Sequence, residues 1–130
     1  MAWVWEIVRG RLSSTESGYA ATGYSGAGPG KNNPTMQAVR DIGPIPEGVY
    51  AIGSPQTSIK HGPFAMPLAP DAANRMYDRE GFMVHGDSLE HPGCASEGCI
   101  ILPPDARHAI WDSGDRELRV ISGTFMAGEP

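Results

Sequence analysis

The sequence contains few cysteines, a minority of basic residues and no long apolar run. Two cysteines among 130 residues are too few for a disulfide scaffold. Ten lysine and arginine residues against fifteen aspartate and glutamate residues give a net charge of −5, which argues against binding to nucleic acid or to anionic lipid. No stretch approaches the roughly 20 apolar residues of a membrane-spanning helix, so we expect no membrane insertion.

The N-terminus lacks the features of an export signal. Its apolar stretch over residues 2–8 is interrupted by Glu6, with no preceding basic segment and no small-residue cleavage site. We therefore expect a protein that is made in the cytoplasm without a signal peptide. If it acts elsewhere, a route other than general secretion must carry it.

Glycine and proline are abundant, at 17 and 12 residues. They interrupt the chain too often for long helices and favour short strands joined by turns. The hydrophobic share of 40% and the charged share of 19% are compatible with one modest core. The composition therefore predicts a single, mainly β domain over residues 1–130.

Local patterns predict where the elements lie. Alternation over residues 3–8 predicts a strand, followed by a turn at 9–11 and a return strand that begins at Leu12. Further strands are predicted around 19–24, 49–52, 81–85, 100–102 and 118–121, and one short helix near 104–112 that opens with prolines. Residues 23–34 predict a glycine-rich loop, either at the substrate or simply on the surface. Residues 54–80 contain four prolines and predict an irregular excursion.

Two short segments carry groups that suit nucleophilic chemistry. His85 ends an apolar strand and Cys99 begins one, so a loop between them can bring imidazole and thiol within hydrogen-bond reach. A free thiol has a pKa of about 8.5 and needs a neighbouring base to become a nucleophile. The pattern therefore favours Cys99 as nucleophile and His85 as base.

Neighbouring residues supply the remaining parts of such a site. A carbonyl near Gly86 or the carboxylate of Asp87 can orient the imidazole, and the sequence leaves both alternatives open. A tight turn at Gly98 can direct the amides of Glu97, Gly98 and Cys99 towards an oxyanion.

Non-catalytic interpretations of these cysteines and histidines are alternatives to a Cys99–His85 active site. A buried cysteine is often only a small hydrophobic residue. A zinc site of Cys94, Cys99, His85 and His91 matches no standard spacing, so we expect no metal and no other cofactor. Cys94 is either a bystander or, as a hypothesis, a redox partner of Cys99. His61 and His108 have no distinctive sequence neighbours.

The two segments resemble the L,D-transpeptidase (YkuD-type) catalytic domain. Val84-His85-Gly86 and Ser96-Glu97-Gly98-Cys99 are similar to that family's histidine strand end and its Ser-His-Gly-Cys motif. The resemblance is closer to the type VI secretion L,D-transpeptidase effectors. That subgroup shares the motifs at 23–28, 31–34, 43–46, 85–87 and 95–103.

The chain departs from the broader family at two points. Glu97 stands where that family has histidine, and Ile100, Ile101 and Leu102 occupy the region where an arginine normally follows the nucleophile. A carboxylate-binding arginine must therefore come from elsewhere. The candidates are Arg75, Arg79 and Arg107. Further candidate substrate contacts are Tyr24, Ser25, Lys31, Asn32 and Ser96.

The resemblance implies a β-sandwich-like fold and acyl transfer on peptidoglycan tetrapeptide stems. The terminal D-alanine leaves, and water or a D-amino acid accepts the acyl group. It also implies an antibacterial toxin that acts in the periplasm of target bacteria, with type VI secretion components and a cognate immunity protein as partners. The rivals are a cysteine endopeptidase that cuts another stem bond and an inactive wall-binding module.

Overall fold

The computed structural model describes residues 2–123, which form a single small domain of mainly β structure, with 33% strand and 12% helix. The strands are β1 (Trp3–Glu6), β2 (Arg11–Ser14), β3 (Ala20–Thr22), β4 (Tyr24–Ser25), β5 (Gly48–Ile52), β6 (Gln56–Ser58), β7 (Gly62–Pro70), β8 (Met83–His85), β9 (Ile100–Ile101) and β10 (Glu117–Ile121). The α-helix, α1, spans Pro104–Asp112, and short 3-10 turns occupy Gly28–Gly30 and Pro34–Met36. The predicted fold class and the helix position are confirmed.

The strands follow one path, in the order β3-β2-β1-β10-β5-β7-β8-β9-β4, and β6 pairs with β7 beside it. Only β1 with β10 and β8 with β9 pair in parallel among the described strands. The first and last strands of the path, β3 and β4, are separated in sequence by Gly23 alone. The sheet therefore curls until it is nearly closed.

Gly23 permits this near closure because it has no side chain. A Cβ at residue 23 would lie 1.8 Å from the carbonyl oxygen of Ile101, so no other residue fits. Its N–H donates to the Gly10 carbonyl at 2.8 Å. One glycine thus joins β4, the neighbour of β9, to β3 at the opposite end of the strand path.

The core fills the interior of this curled sheet. Alternate residues of β1, Trp3 and Trp5, are 3% and 0% exposed, as strand periodicity predicts. From α1, Ala106 and Ile110 add buried apolar surface. The helix itself is too short to cross a bilayer, and no other helix within residues 2–123 has the length and apolarity that a membrane span requires.

The prediction for residues 54–80 is wrong in its central part. This region contains β6 and β7, and β7 is the longest strand described, at nine residues. Pro67, in the interior of this strand, is tolerated because of its position. The carbonyl of Pro67 accepts from the N–H of Gly53, and the last pair of the β5–β7 ladder is Ile52 with Leu68. The one bond that Pro67 cannot donate, to Gly53, therefore lies just beyond that ladder.

Candidate active site

The parallel pairing of β8 with β9 brings the two predicted catalytic side chains together. The register aligns Val84 with Ile100 and His85 with Ile101, so Cys99, which precedes β9, lies beside Met83 at the start of β8. A ring nitrogen of His85, a ring nitrogen of His61 and the sulfur of Cys99 all lie within 4.8 Å of one another. The thiol therefore lies close to two imidazoles.

His85 is held in one orientation and one tautomer. Its side chain is 1% exposed, and Nδ1 lies 2.8 Å from the carbonyl oxygen of Gly86. Because a carbonyl can only accept, Nδ1 carries the hydrogen and Nε2 keeps its lone pair. Nε2 is buried and has no hydrogen-bond partner within residues 2–123. The arrangement leaves a basic nitrogen free beside the thiol.

Burial keeps both groups uncharged at neutral pH. Desolvation lowers the pKa of His85 to about 4, against the hydrogen bond to Gly86, which raises it. Desolvation also raises the pKa of the Cys99 thiol, while a backbone hydrogen bond from Met83 acts in the opposite direction. The resting pair is thus a neutral imidazole and a neutral thiol, not an ion pair.

The turn before Cys99 is built around the hydroxyl of Ser96, which is 2% exposed. This Oγ accepts from the N–H of Gly26 at 2.8 Å and of Gly98 at 3.0 Å, and it donates to the Cys99 carbonyl at 2.6 Å. The Gly98 amide is therefore engaged internally and does not belong to the predicted oxyanion set. The amides of Glu97 and Cys99 donate to no acceptor in the described chain, so they are the members of that set that remain available.

A second buried serine supports the same turn from the opposite side. Ser25 is 0% exposed, and its hydroxyl donates to the Gly98 carbonyl at 2.8 Å and accepts from the Ile45 N–H at 2.9 Å. Ser25 and Ser96 were predicted as substrate contacts. Both hydroxyls instead bond the main chain and position the backbone that carries Cys99.

Arg79 fixes this turn to a neighbouring loop. It is 7% exposed, and its guanidinium donates to the carbonyls of Gln37, Gly43, Pro44 and Glu97 at 2.6 to 3.2 Å. Four carbonyl contacts, three of them buried, commit the guanidinium to the protein itself. Arg79 therefore holds the nucleophile turn in place and is not a free carboxylate clamp.

The carboxylate of Asp87 hydrogen-bonds to Tyr24 and to the loop after β8 rather than to His85. Its carboxylate accepts from the Tyr24 hydroxyl at 2.6 Å and from the amides of Ser88 and Gly93 at 2.8 and 3.1 Å. Although burial raises the pKa of this carboxyl, these hydrogen bonds outweigh it and hold the pKa below its usual value. Of the two alternatives for orienting His85, the Gly86 carbonyl is the one that contacts the ring.

Lys31 and Asn32 also serve loop structure. The ammonium of Lys31 donates to the Gly93 carbonyl at 2.7 Å and lies 4.5 Å from the centre of the Tyr24 ring. The side-chain oxygen of Asn32 accepts from the Ser25 N–H at 3.1 Å. Together with Asp87, Lys31 and Tyr24 anchor the loop that leads from His85 towards Cys99.

The thiol and His85 open into a cavity of about 1300 Å³. Tyr24, Asp87, Glu97 and Arg107 line it, whereas Ser25, Lys31, Asn32, Ser96 and Arg75 do not. The charged residues of the wall are Asp41, Asp78, Glu80, Asp87, Glu90 and Glu97 with Arg40, Lys60, Arg79 and Arg107. A cavity with both signs of charge suits a peptide that carries both an amine and a carboxylate.

The other two candidate arginines, Arg75 and Arg107, differ in position. Arg75 is exposed and lies over the ring of Tyr77. Arg107, from α1, donates through Nε to the Leu102 carbonyl at 3.0 Å and through Nη1 to two carbonyls of β7. Its Nη2 donates to no group within residues 2–123. Arg107 is 6% exposed and lines the cavity, and it keeps one donor nitrogen, beside Gly86, without a partner in that part of the chain.

His61 is the residue of this site that sequence reasoning missed. It lies in the loop between β6 and β7, and its ring stacks on that of His85 with centroids 3.9 Å apart. Within the described residues, Cys94 and His91 do not belong to the His61–His85–Cys99 group, which replaces the zinc combination considered from sequence. The pattern Ser58-Ile-Lys-His-Gly62 is a hairpin-loop signal, but nothing local shows that the loop reaches His85.

Comparison with known proteins identifies one family. A family model described as the Tlde1 domain matches residues 19–122. The match contains both histidines, Cys99 and α1. No curated protein and no solved structure matches the chain.

Proposed function

Because the chain belongs to the Tlde1 domain family of type VI secretion effectors, we propose that it is an antibacterial enzyme that transfers acyl groups of peptidoglycan stem peptides through Cys99. His85 serves as the general base. The reaction is removal of the terminal D-alanine of a tetrapeptide stem, exchange of that residue for a D-amino acid, or both.

The observation that carries this proposal is the placement of a thiol next to an imidazole whose tautomer is fixed. Nδ1 of His85 is committed to Gly86, so Nε2 is the base, and the Cys99 sulfur lies within 4.8 Å of the ring nitrogen that faces it. A nucleophile, a base and an orienting group are the three parts that covalent acyl transfer needs. Here a main-chain carbonyl takes the orienting role that a carboxylate has in many triads.

The steps follow from this geometry. Nε2 takes the thiol proton as sulfur attacks the carbonyl carbon, and the negative charge develops on the carbonyl oxygen. The carbon–nitrogen bond then breaks, and the amine of D-alanine leaves with the proton from His85. Water or a D-amino acid attacks the thioester with His85 again as base, which restores the thiol.

Main-chain amides supply the stabilisation of the oxyanion in this proposal. The available donors are the N–H groups of Cys99 and Glu97, since the Gly98 N–H is bound to Ser96. Preorganised amides of this kind need no reorganisation during the reaction. Ser96, Ser25 and Arg79 are positioning residues that keep these donors in place.

Arg107 is the residue we assign to the substrate carboxylate. No arginine follows Cys99 closely, and α1 instead directs Arg107 to the cavity with Nη2 unbonded. Its other nitrogens are fixed by carbonyls of Leu102, Pro63 and Phe64, so the guanidinium is rigid before substrate arrives. A rigid cation that binds a terminal carboxylate favours stems that end in a free D-alanine.

The test is incubation of purified protein with tetrapeptide muropeptides, with and without a D-amino acid, followed by product masses. Loss of a single D-alanine or its exchange is expected, and Cys99→Ala and His85→Gln should abolish it. Cys94→Ala is the matched control and should retain activity. Cleavage inside the stem would instead establish the endopeptidase rival, and wall binding without any product would establish an inactive binding module.

The biological half of the proposal has its own test. We infer that the enzyme acts in the periplasm of target bacteria and that the producer carries a cognate immunity protein. Expression of the chain with an added export signal should be toxic to a host cell, and expression without the signal should not. Toxicity that persists in Cys99→Ala would contradict an enzymatic toxin.

A further inference from the structure

The cavity contains a group of three side chains with metal-ligating atoms. One nitrogen of His61, one nitrogen of His85 and the sulfur of Cys99 lie within 4.8 Å of one another. These residues come from three separate segments, namely the β6–β7 loop, the end of β8 and the turn before β9. The acyl-transfer steps above use His85 and Cys99 but give His61 no role.

A buried atom without a partner points independently to a ligand at this position. Nε2 of His85 makes no hydrogen bond within residues 2–123 although the side chain is 1% exposed. Nδ1 is occupied by Gly86, so Nε2 is the nitrogen available to the cluster. Burying a polar nitrogen without a partner costs free energy that a bound cation would recover.

The donor set selects the chemistry of the ion. Two imidazoles and one thiolate match the preferences of Zn²⁺, which favours nitrogen and sulfur ligands in tetrahedral geometry. Three protein ligands leave a fourth position that opens to the cavity. Tetrahedral Zn²⁺ holds such donors about 3.3 to 3.6 Å apart, and each imidazole binds the ion in the plane of its own ring. The His61 ring must therefore turn out of its stack on His85 to complete the site. The loop that carries His61 is the short connection between β6 and β7.

We propose that His61, His85 and Cys99 form a Zn²⁺ site and that bound Zn²⁺ holds the enzyme inactive. The inhibitory half rests on the proposed function, whereas the binding half does not. Zn²⁺ displaces the proton of the Cys99 thiol to solvent and forms sulfur–zinc and nitrogen–zinc bonds, with no change of oxidation state. The ion then occupies both the nucleophile and the lone pair of its base.

The proposed site assigns His61 the role of a Zn²⁺ ligand. Its ring stacks on that of His85, and it also lies beside the sulfur. A substitution that keeps a ring but removes both nitrogens therefore separates packing from ligation. His61→Phe is that substitution, and His91→Ala removes an exposed histidine that does not line the cavity.

The experiment measures binding of Zn²⁺ alone to chelator-treated, full-length protein by titration calorimetry. Co²⁺ titration adds a direct readout of thiolate ligation through its sulfur-to-cobalt absorption. One Zn²⁺ per chain and the thiolate band are expected in wild type and in His91→Ala. His61→Phe should weaken Zn²⁺ binding by at least about tenfold, since loss even of outer-shell partners has effects of that size. Equal affinity in His61→Phe and wild type, or no thiolate band, overturns the site.

Activity measurements separate failure of this inference from failure of the proposed function. Chelated wild type should process tetrapeptides, stoichiometric Zn²⁺ should suppress that activity, and His61→Phe should resist suppression. If Zn²⁺ binds at the cluster and only the zinc-loaded protein is active, both the inhibition and the thiol mechanism are overturned. The protein would then be a metal-dependent enzyme. Cys99-dependent activity that is indifferent to stoichiometric Zn²⁺ would overturn the inference and leave the proposed function intact.

Discussion

Gly98 and Arg79 are fitted so closely that no side chain has room at residue 98. A Cβ placed there would lie 2.6 Å from Nη2 of Arg79 and 2.7 Å from an edge carbon of Phe82. The backbone at Gly98 also has φ of +131°, a conformation that residues with a side chain rarely adopt. The turn that carries the candidate nucleophile thus depends on a glycine and on a buried arginine together.

Gly98→Ala should therefore damage both stability and activity. Strain at a positive φ and the contact with Arg79 should lower the free energy of unfolding by about 1–3 kcal/mol. Displacement of the turn should also reduce tetrapeptide turnover. Denaturant unfolding and product masses measure the two effects. Gly114→Ala, where φ is +79° but a Cβ would contact nothing within 4 Å, is the control for backbone strain alone. Wild-type stability and turnover in Gly98→Ala would show that the turn is not constrained as described.

Arg79→Lys should fail to replace the guanidinium. A lysine offers one ammonium group and cannot reach four carbonyls in the fixed fork geometry of arginine. Each carbonyl left without a donor should cost about 1–3 kcal/mol, measurable by denaturant unfolding. Arg75→Lys, at an exposed arginine, should change stability by no more than about 0.5 kcal/mol. Equal effects of the two changes would contradict the structural role of Arg79.

Ser96→Ala should leave two amides and one carbonyl without their partner. The hydroxyl now serves Gly26, Gly98 and Cys99, and each buried group that loses its bond should cost about 1–3 kcal/mol. Turnover should fall with kcat rather than KM, because the hydroxyl positions the nucleophile and does not line the cavity. Ser17→Ala is the matched control, since its hydroxyl accepts a single bond from an exposed turn amide and does not line the cavity.

The pH dependence of thiol reactivity should reveal a neutral resting pair. Burial disfavours the thiolate and raises the pKa of Cys99, so its thiolate fraction at pH 7 is smaller than that of an ordinary thiol. Alkylation by iodoacetamide, in chelator-treated Cys94→Ser protein, should keep rising above pH of about 8.5, the ordinary thiol value. A small-molecule thiol provides the reference curve. A plateau of reactivity that is already reached below pH 7 would indicate an ion pair instead.

Part of the site is visible in the sequence because the signals are local. His85 ends an apolar run and Gly98-Cys99 opens one, so local patterns single out both residues as candidates. The resemblance to the L,D-transpeptidase family adds the expectation that they form one site. The prolines at the start of the segment near 104–112 likewise predict the helix from local sequence. The mainly β class follows from the density of glycine and proline, because these residues interrupt long helices in every segment of the chain.

Other parts depend on which strands pair, and no local pattern encodes that. Prolines generally interrupt sheets, so the four prolines of residues 54–80 predict an irregular segment. Pro67 is acceptable in β7 because it faces Gly53, just beyond the last pair of the β5–β7 ladder. Ser25 and Gly98 are 73 positions apart, so only the pairing of β4 with β9 brings the hydroxyl of Ser25 to its main-chain partner. The polar groups of Ser96, Asn32 and Lys31 likewise bond main-chain groups whose positions depend on the tertiary structure.

By itself the sequence determined the fold class and the short helix, and it singled out one thiol and one imidazole as candidates, because periodicity and turn chemistry act over a few residues. Only the tertiary structure decided that His61 stacks on His85, that Gly86 rather than Asp87 orients the ring and that Arg79 secures the nucleophile turn. Those contacts join distant segments, and their geometry exists only after the curled sheet has set the register of its strands.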